Sequence, residues 1–380
     1  MIDINLYQKL SNAAADASVI TLRASLISGT ALPGDERQLV FPSTYAEVGH
    51  LCSPVREDGS HEYVLIDSTQ SWANRLEEVA DDLDGLPRLE VDVAGQTLSA
   101  YKLPHRVYDA TLRDSELEGI PFRKTELGQA LTSARPDNAT ALLRHAPSVL
   151  LFGGWDSFAG IKVGAAKWPA ALSGQILGFD ATLARKAGLR SDPLGITLDQ
   201  FRAYKAADPA QFWTMDESKA AKDDKGKPIP LKPSEVGHGN ILAELVHRGA
   251  WVKRIELRNA LSLTRLRRYH FPVDGKVSAE ADHAARTLLV SLSVLLLAER
   301  LERGLDLRAG AELDVTDTRW SIRQGLSGDM PLEVTVDTAR KAFARAREEA
   351  ARHGLDFDGT TRFRASERLQ KLFEHAAAAS

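Results

Sequence analysis

The stretch of residues 63–83 constrains the fold of this chain more than any other segment. It begins with the short apolar run 63–66, which predicts a buried strand. Asp67 and Ser68 follow directly, and either side chain can cap the start of a helix. The next apolar residues recur at helical spacing and predict one inward-facing side of that helix. They are Trp72, Leu76, Val79 and Leu83.

The first turn of this predicted helix carries small or amide side chains beside backbone N–H groups that have no partner within the helix. These residues are Ser68, Thr69, Gln70 and Ser71. A helix start of this kind suits an anion such as a phosphate, and Asn74 and Arg75 lie one turn further on. An ordinary capped amphipathic helix explains the same residues. The sequence leaves both interpretations open.

The composition, with 43% hydrophobic and 26% charged residues, is typical of a soluble globular protein. The 380 residues suffice for two domains or for one domain with large insertions. A single cysteine, Cys52, excludes an internal disulfide framework and a cysteine-based zinc site. The N-terminal residues 1–17 lack the apolar core of a signal peptide. The longest apolar run, 288–298, is shorter than the roughly 20 residues that span a bilayer, so we expect a buried helix there and a cytoplasmic protein.

The net charge of −4 gives no general affinity for nucleic acid, so a phosphate-binding protein of this composition must segregate its basic residues. It does so in the segment 253–268, where Glu256 is the one acidic residue. The basic residues there are Lys253, Arg254, Arg258, Arg265, Arg267 and Arg268.

Residues 18–28 alternate in part and are rich in β-branched side chains, which predicts a strand. Arg23 interrupts the apolar pattern of this strand. It either points to solvent from an open sheet face or lies on a face that meets a polyanion. Other elements follow from apolar patterns and turn residues. They are a hairpin over 88–103, helices over 126–133, 138–145, 279–303, 338–353 and 366–379, and strands over 148–152, 171–179, 250–257 and 312–322. The segment 261–271 is predicted to be a second basic strand or a strand followed by a loop.

The segment 152–164 is rich in glycine, which permits close backbone approach and positive φ angles. Its glycines are Gly153, Gly154, Gly160 and Gly164. Neither a P-loop nor a G-x-G-x-x-G spacing is present, so a tight turn at the end of a strand explains the glycines best, with Trp155 in the core. Residues 218–233 are charged and rich in proline, which predicts a loop or an extended arm. His238 follows in a sharp turn and lacks a second histidine or cysteine at ligand spacing.

Several segments together resemble one family. They are I-D-S-T-Q-S-W-A-N-R-L-E, L-L-F-G-G-W-D-S, K-P-S-E-V-G-H-G-N-I and L-S-L-T-R-L-R-R, between about Asp67 and Arg268. The first resembles the S-x-Q-S-W segment of CRISPR Cascade backbone subunits, the Cas-seven proteins of the RAMP superfamily. The set as a whole resembles the backbone RAMP subunit of type I-U systems, also called type I-G.

The resemblance implies an α+β fold, in which a modified RNA-recognition-motif (ferredoxin-like) palm carries large inserted finger and thumb segments. The whole chain, 1–380, is then one RAMP domain. Its insertions are expected at about 85–146 (finger-like) and about 205–248 (thumb-like arm), and its helical C-terminal part at 338–380.

The resemblance also implies which residues contact RNA. In the helix start they are Ser68, Gln70, Ser71, Asn74 and Arg75, and in the arm Lys232, Ser234, His238 and Asn240. The basic and glycine-rich segments add Arg23, Gly153, Gly154, Trp155, Lys162, Arg265, Arg267 and Arg268. One departure is Ala73, where relatives often have a lysine. Arg75 is the candidate to replace that charge.

The function that the resemblance implies is a non-catalytic subunit that binds the guide crRNA through its phosphates. No aromatic RNP1 signature occurs in the strand 18–28, so base stacking on the sheet is not expected and sequence-independent contacts remain. The expected partners are the crRNA, the target DNA strand paired to it, further copies of the chain and other subunits of the effector complex. No cofactor, metal or membrane partner is expected.

Two alternatives remain open at this point. The first is a metal-dependent RAMP ribonuclease, because some backbone subunits cut RNA with an aspartate, and Asp35, Asp67 or Asp156 could serve with a divalent ion. The second is a scaffold that assembles through its helices without nucleic acid.

Overall fold

The computed structural model describes residues 5–157, 167–186, 191–195, 202–238 and 246–379. The chain divides into two compact units. The large unit contains Met1–Thr182 and Trp251–Ser380, and the small unit contains Leu183–Ala250.

Helices occur mainly in the large unit. In chain order they are α1 (Leu6–Asp16), α2 (Thr69–Asp82), α3 (Ala110–Arg113), α4 (Glu126–Ser133), α5 (Thr140–His145), α6 (Pro147–Phe152), α7 (Leu263–Leu266), α8 (Ala279–Glu302), α9 (Val336–Arg352) and α10 (Glu367–Ala379).

Strands occur in both units. They are β1 (Val19–Ser28), β2 (Gln38–Val40), β3 (His61–Asp67), β4 (Arg88–Val93), β5 (Gln96–Ser99), β6 (Ser115–Leu117), β7 (Ile120–Pro121), β8 (Gly154–Trp155), β9 (Lys167–Trp168), β10 (Leu172–Lys186), β11 (Ala203–Lys205), β12 (Trp213–Thr214), β13 (Pro230–Leu231), β14 (Val246–Val252), β15 (Arg254–Ser262), β16 (Leu305–Asp306), β17 (Glu312–Arg323), β18 (Asp329–Leu332) and β19 (Thr360–Ala365).

A palm of four antiparallel strands and two helices forms the centre of the large unit. Its elements follow one another as β1, α2, β10, β15, α8 and β17, and its strands lie in the order β17-β1-β15-β10. This β-α-β-β-α-β connectivity is that of the ferredoxin-like fold. The expected α+β fold with such a palm is therefore confirmed.

The two palm helices cover the inner face of the sheet, because that face is apolar. β1 turns Ile20, Leu22, Ala24 and Leu26 inward, all buried, as the period of two in a strand requires. α2 packs against α8, and α1 and α9 pack on α8 in turn, so α8 is buried along most of its length. The opposite face of β1 presents Arg23 and Ser25 to solvent.

The insertion between α2 and β10 contains a second sheet, in the order β5-β4-β19-β6-β7. Ala94 and Gly95 join β4 to β5 with φ angles of 47° and 79°. Both angles are positive, as a type I′ hairpin turn requires, and the predicted hairpin is confirmed. β19 reaches this sheet from the C-terminal part and runs parallel to β4.

Two predictions within this insertion are wrong. The apolar run expected to be a strand at 148–152 is helix α6, which has Pro147 in its first turn. All its residues are buried, so its apolar pattern has no period that separates a helix from a strand. The helix expected from 138 begins at Thr140, because Asn138 is held in a turn by its N–H bond to Arg135 O at 2.8 Å.

Two predictions near the basic segment also need correction. The single strand expected over 250–257 is two strands, β14 and β15, with Lys253 between them. The basic strand or strand–loop expected over 261–271 is a strand only as far as Ser262, whose side chain caps the short helix α7 through Arg265 N–H. A serine that accepts from the N–H three residues later favours a helical turn over a strand.

The small unit contains a three-stranded sheet in the order β12-β11-β13 among its described residues. The predicted arm enters this sheet, because β13 pairs with β11 through Leu231 and Ala203. The assignment of finger and thumb segments stays a prediction. No helix among the described residues is long and apolar enough to cross a membrane.

Candidate nucleic-acid interface

The start of α2 is open to solvent. Ser68 is the N-cap, and its Oγ accepts a hydrogen bond from Ser71 N at 3.2 Å. Thr69, Gln70 and Asn74 are exposed, whereas Trp72 beneath them is buried. The predicted cap is therefore confirmed, and the polar residues of the first turn face solvent rather than the core.

Arg75 lies one turn further along α2 and points into the protein. Its Nε donates to Asp67 Oδ2 over 3.0 Å, and its Nη atoms donate to the backbone oxygens of Asp306 and Leu307 at 3.2 and 3.1 Å. Arg308 Nη2 reaches the other carboxylate oxygen of Asp67 at 3.3 Å. Asp67 is fully buried, so these arginines neutralise a charge that could not stay unpaired in the interior.

This network joins the end of β3 and the start of α2 to the segment that follows β16. Burial lowers the pKa of the Arg308 guanidinium, and the attraction of Asp67 opposes that shift. The guanidinium of Arg75 has a structural role, and the RNA contact predicted for it gains no support from this geometry.

Three arginines form a row across the outer face of the palm. In the middle of β1, Arg23 is the cross-strand neighbour of Arg258 on β15 and of Arg319 on β17. Side chains directly opposite in an antiparallel pair lie about 5 Å apart at Cβ. The row therefore concentrates positive charge on a protein whose net charge is −4.

One end of this row is partly neutralised. Arg258 and Arg254 donate to the two carboxylate oxygens of Glu256 at 2.8 and 2.9 Å, and both guanidiniums lie over the ring of Phe179. Burial raises the pKa of Glu256, but the two arginines outweigh it and hold this pKa below its ordinary value. Glu256 therefore stays charged.

The other two members of the row are not neutralised in this way. Arg23 and Arg319 are both exposed, and neither has a carboxylate partner within the described part of the chain. Like charges that face each other across two strands repel. Two guanidiniums in this position are suited to an external anion.

A groove of about 300 Å³ connects the arginine row to the start of α2. Its lining includes Arg23 and Arg258 from the row, Thr69 from the first turn of α2, and Ser173 and Gln175 from β10. Guanidiniums, hydroxyls, an amide and a helix N-terminus thus meet in one groove, and all are groups that bind phosphate.

The basic segment 253–268 does not form a single patch. Arg265 donates to Ala170 O, and Arg267 Nη1 donates to Ala17 O at 2.6 Å and Ala14 O at 3.3 Å, at the end of α1. Both guanidiniums thus satisfy backbone carbonyls within the protein. Arg268 is exposed and has no side-chain partner among the described residues.

The described start of the glycine-rich segment, 152–157, makes a tight turn, but this turn follows helix α6 and not the predicted strand, and Gly160 and Gly164 lie outside the described residues. Gly153 has a φ of 87°, and a Cβ there would lie 2.8 Å from Trp168 O. Gly154 packs against Tyr108 and Val149, so Trp155, next along the short strand β8, points the other way and is 55% exposed. The prediction that Trp155 lies in the core is wrong. Lys162 lies outside the described residues.

The small unit carries the remaining predicted contacts. Lys232 N donates to Glu235 Oε2 at 2.5 Å, and Lys232 and Ser234 are both exposed. His238 Nδ1 lies 3.8 Å from Asp192 Oδ2, which makes an ion pair only when His238 is protonated. Asn240 lies outside the described residues. That these residues contact RNA stays a prediction.

A cation site is not evident in the described residues, among which no group of three or more His, Cys, Asp or Glu side chains could hold a metal ion. Asp67 is occupied by two arginines, and Asp156 is fully buried with Arg123 Nη2 at 2.6 Å. Asp35 lies in an exposed loop, where its side chain accepts from Leu32 N.

Sequence reasoning missed Arg319, Ser173 and Gln175 as parts of the candidate interface, whereas it named Thr69 at the predicted helix start. The run T-D-T-R-W-S-I-R in β17 alternates so that Trp320 and Ile322 are buried and Arg319 and Arg323 are exposed. That alternation was a readable signal for Arg319. Its position opposite Arg23 could not be predicted from the sequence. The two strands lie about 300 residues apart, and their register depends on the whole fold.

The fold and this interface define a class of protein, a ferredoxin-like palm whose open face carries a basic row. Residues 30–183 match a family model described as CRISPR-associated protein GSU0053. The matched region runs from the end of β1 through α2 to β10 and covers less than half of the chain. The match supports a CRISPR-associated protein with a role in CRISPR defence. No curated protein matches the chain.

Proposed function

We propose that this protein is a non-catalytic backbone subunit of a type I CRISPR effector complex, of the type I-U (type I-G) kind. Copies polymerise along the guide crRNA, hold its phosphates and present its bases for pairing with target DNA. The observation that carries the proposal is the opposition of Arg23 and Arg319 on the open palm face, where Arg23 also lines the groove that reaches the start of α2.

The chemistry of this face favours phosphate over base recognition. Arginine binds phosphate oxygens bidentately, and contacts to phosphate do not depend on sequence. Phe179 is the aromatic residue of β10 on this side, but it is only 5% exposed beneath Arg254 and Arg258. A face of this composition accepts any guide sequence.

The proposal is tested by removing the two unneutralised arginines. We expect Arg23→Ala and Arg319→Ala to weaken binding of single-stranded RNAs of unrelated sequence by similar factors. For a single strand, each lost phosphate contact should reduce the slope of log K against log salt by about 0.7. Binding is measured by fluorescence anisotropy at several salt concentrations.

Arg352→Ala is the matched control, because Arg352 is an exposed arginine of α9 that already pairs with Glu349 at 2.7 Å. It should leave affinity and salt slope unchanged. A double variant of Arg23 and Arg319 that binds RNA as tightly as the wild type, with the same salt slope, would refute the proposal.

A second experiment separates an RNA-ordered backbone from a protein-only scaffold. The mass of the complex is measured by light scattering with single-stranded RNAs of increasing length. We expect the number of bound copies to rise with RNA length, and the protein without RNA not to polymerise. Polymers that form to the same extent without RNA would favour the scaffold.

A further inference from the structure

A cavity of about 670 Å³ lies beside the glycine-rich turn, at the ladder of β8 and β9. Its volume is within the range of small-molecule sites, about 300–1,000 Å³. Its aromatic lining residues are Phe152, Trp155 and Trp168, and its basic ones are His105, Arg106 and Lys167. Among the described residues that line it there is no Asp or Glu, so no carboxylate in the lining opposes the binding of an anion.

The charges around this cavity are not equivalent. Arg106 donates to Glu77 at 2.6 and 2.7 Å and to Gly153 O at 3.1 Å, so this guanidinium is partly neutralised and holds the turn in place. The Lys167 side chain is exposed and lies in no ion pair within the described residues. Lys167 is thus the cation that a ligand can use.

Trp155 lines the cavity and is 55% exposed. It pairs with Lys167 in the ladder of β8 and β9, and the Lys167 ammonium lies 5.1 Å from the centre of its ring. The turn before it is fixed, because Gly153 approaches Trp168 O and Gly154 packs against Tyr108. A flat, exposed ring on a fixed backbone loses little entropy when a planar ligand stacks on it.

The cavity and the palm groove are close along the chain. Ala170 lines the cavity and Ser173 lines the groove, so their Cα atoms are at most about 11 Å apart. Arg265 fixes Ala170 by its hydrogen bond to the carbonyl. A nucleic-acid strand whose phosphates lie in the groove can therefore place a neighbouring base at the cavity.

We propose that this cavity is a base-stacking site for single-stranded RNA, in which the Trp155 indole stacks on one base and the Lys167 ammonium contacts the adjoining phosphate. The identity of the ligand as RNA rests on the proposed function. This site differs from the arginine row in what it recognises. The stacking site binds a base, whereas the arginine row binds phosphates alone.

The test compares a short oligoadenylate with an abasic oligomer of the same length, which has the sugar–phosphate backbone alone. Stacking on an aromatic side chain is worth about 1–3 kcal/mol per base, or about 5- to 150-fold in affinity. We expect Trp155→Ala to weaken oligoadenylate binding by a factor in this range and to leave abasic binding unchanged. Trp155→Phe should retain part of the preference, and Lys167→Gln should weaken both oligomers.

Phe373→Ala is the matched control, since Phe373 is an aromatic residue of α10 with 39% exposure. It should change neither affinity, and circular dichroism confirms that each variant is folded. Wild-type affinity of Trp155→Ala for oligoadenylate would overturn the stacking site and leave the proposed function standing. Failure of the wild-type protein to bind either oligomer would overturn both.

Discussion

Arg23 on β1 and Arg319 on β17 are direct cross-strand neighbours on the solvent face of the palm. Like charges in this position are destabilising. Neither of them forms an ion pair within the described residues, whereas Arg258 on the other side of Arg23 shares Glu256 with Arg254. The protein without RNA therefore carries an electrostatic cost at the place where we propose that RNA binds.

Because of this cost, removing one of the two arginines should raise the free energy of unfolding and at the same time weaken RNA binding. Arg319→Thr should raise the free energy of unfolding by about 0.2–1 kcal/mol at low salt, because it removes a like-charge pair and places a residue with high strand propensity in β17. The same variant should bind RNA more weakly. Urea denaturation at low and high salt measures the first effect, and the gain should shrink as salt screens the repulsion.

Arg362→Thr provides the control for this prediction. Arg362 on β19 pairs with Glu90 at 2.7 Å, so its removal should not stabilise the protein. Stabilisation by both variants would show that the threonine, rather than the lost repulsion, is responsible.

Arg75→Ala should destabilise the fold rather than act on RNA directly. It leaves the buried carboxylate of Asp67 with Arg308 as its remaining guanidinium, and breaking a buried pair costs about 3 kcal/mol. Chemical denaturation measures this loss. Arg303→Ala, which breaks an exposed pair with Asp82, should cost less than about 1 kcal/mol. Unchanged stability with lost RNA affinity would instead make Arg75 an RNA contact.

Gly174→Ala should destabilise the palm beside the groove. A Cβ at Gly174 would lie 2.4 Å from Asn259 Nδ2 and 2.8 Å from the Trp72 indole, so the side chains between β10 and α2 must shift. Overpacking of this kind costs about 1–3 kcal/mol. At Gly359 a Cβ would meet nothing within 4 Å, and Gly359→Ala should change the thermal midpoint little. Equal midpoints for both variants would contradict this account.

The stability of the protein should fall as the pH drops below about 6.5. Burial, and next the neighbouring Arg286, lower the pKa of His283, against the attraction of Asp16. The unfolded state therefore binds more protons than the folded state between the folded and unfolded pKa values, and protonation favours unfolding there.

The variant His283→Gln should reduce the slope of unfolding free energy against pH in this window. The glutamine amide reaches about as far as imidazole Nε2, so it can still pair with Ser11, whose Oγ lies 2.9 Å from His283 Nε2. Burial also lowers the pKa of His145, so part of the slope should remain. Denaturant titrations between about pH 5 and 7.5 give the slope. An unchanged slope would show that His283 does not contribute.

Magnesium should leave labelled RNA intact when it is incubated with this protein. Two of the candidate acids are taken up by internal ion pairs, Asp67 with Arg75 and Arg308 and Asp156 with Arg123. Gel electrophoresis with and without EDTA is the measurement. Metal-dependent cleavage that is lost in Asp35→Asn would replace the non-catalytic proposal with a ribonuclease.

Local sequence signals predicted much of the palm. Ser68 marks the start of α2, Ala94-Gly95 marks the hairpin, and the apolar run from Ala279 predicts α8. Each signal acts within a few residues, through capping, turn geometry or periodicity. Such signals do not depend on the rest of the fold, so they can be read before it is known.

The candidate site was predicted less well, because its properties are long-range. Arg75 pairs with Asp67, and Arg267 donates to carbonyls at the end of α1. An arginine with an internal partner of this kind cannot be distinguished in the sequence from an arginine that binds phosphate. The exposure of Trp155 depends on Gly154 packing against Tyr108. A run of six buried residues, α6, has no periodicity to indicate its structure.

The arginine row arises at the middles of β1, β15 and β17, whereas the inserted segments join the ends of the palm strands. Insertions can therefore grow, shrink or be exchanged during evolution without altering the spacing of the guanidiniums. We expect related proteins with very different arms to cover the same length of guide RNA per copy. That length would follow from the spacing of the guanidiniums, which the pairing of the palm strands fixes.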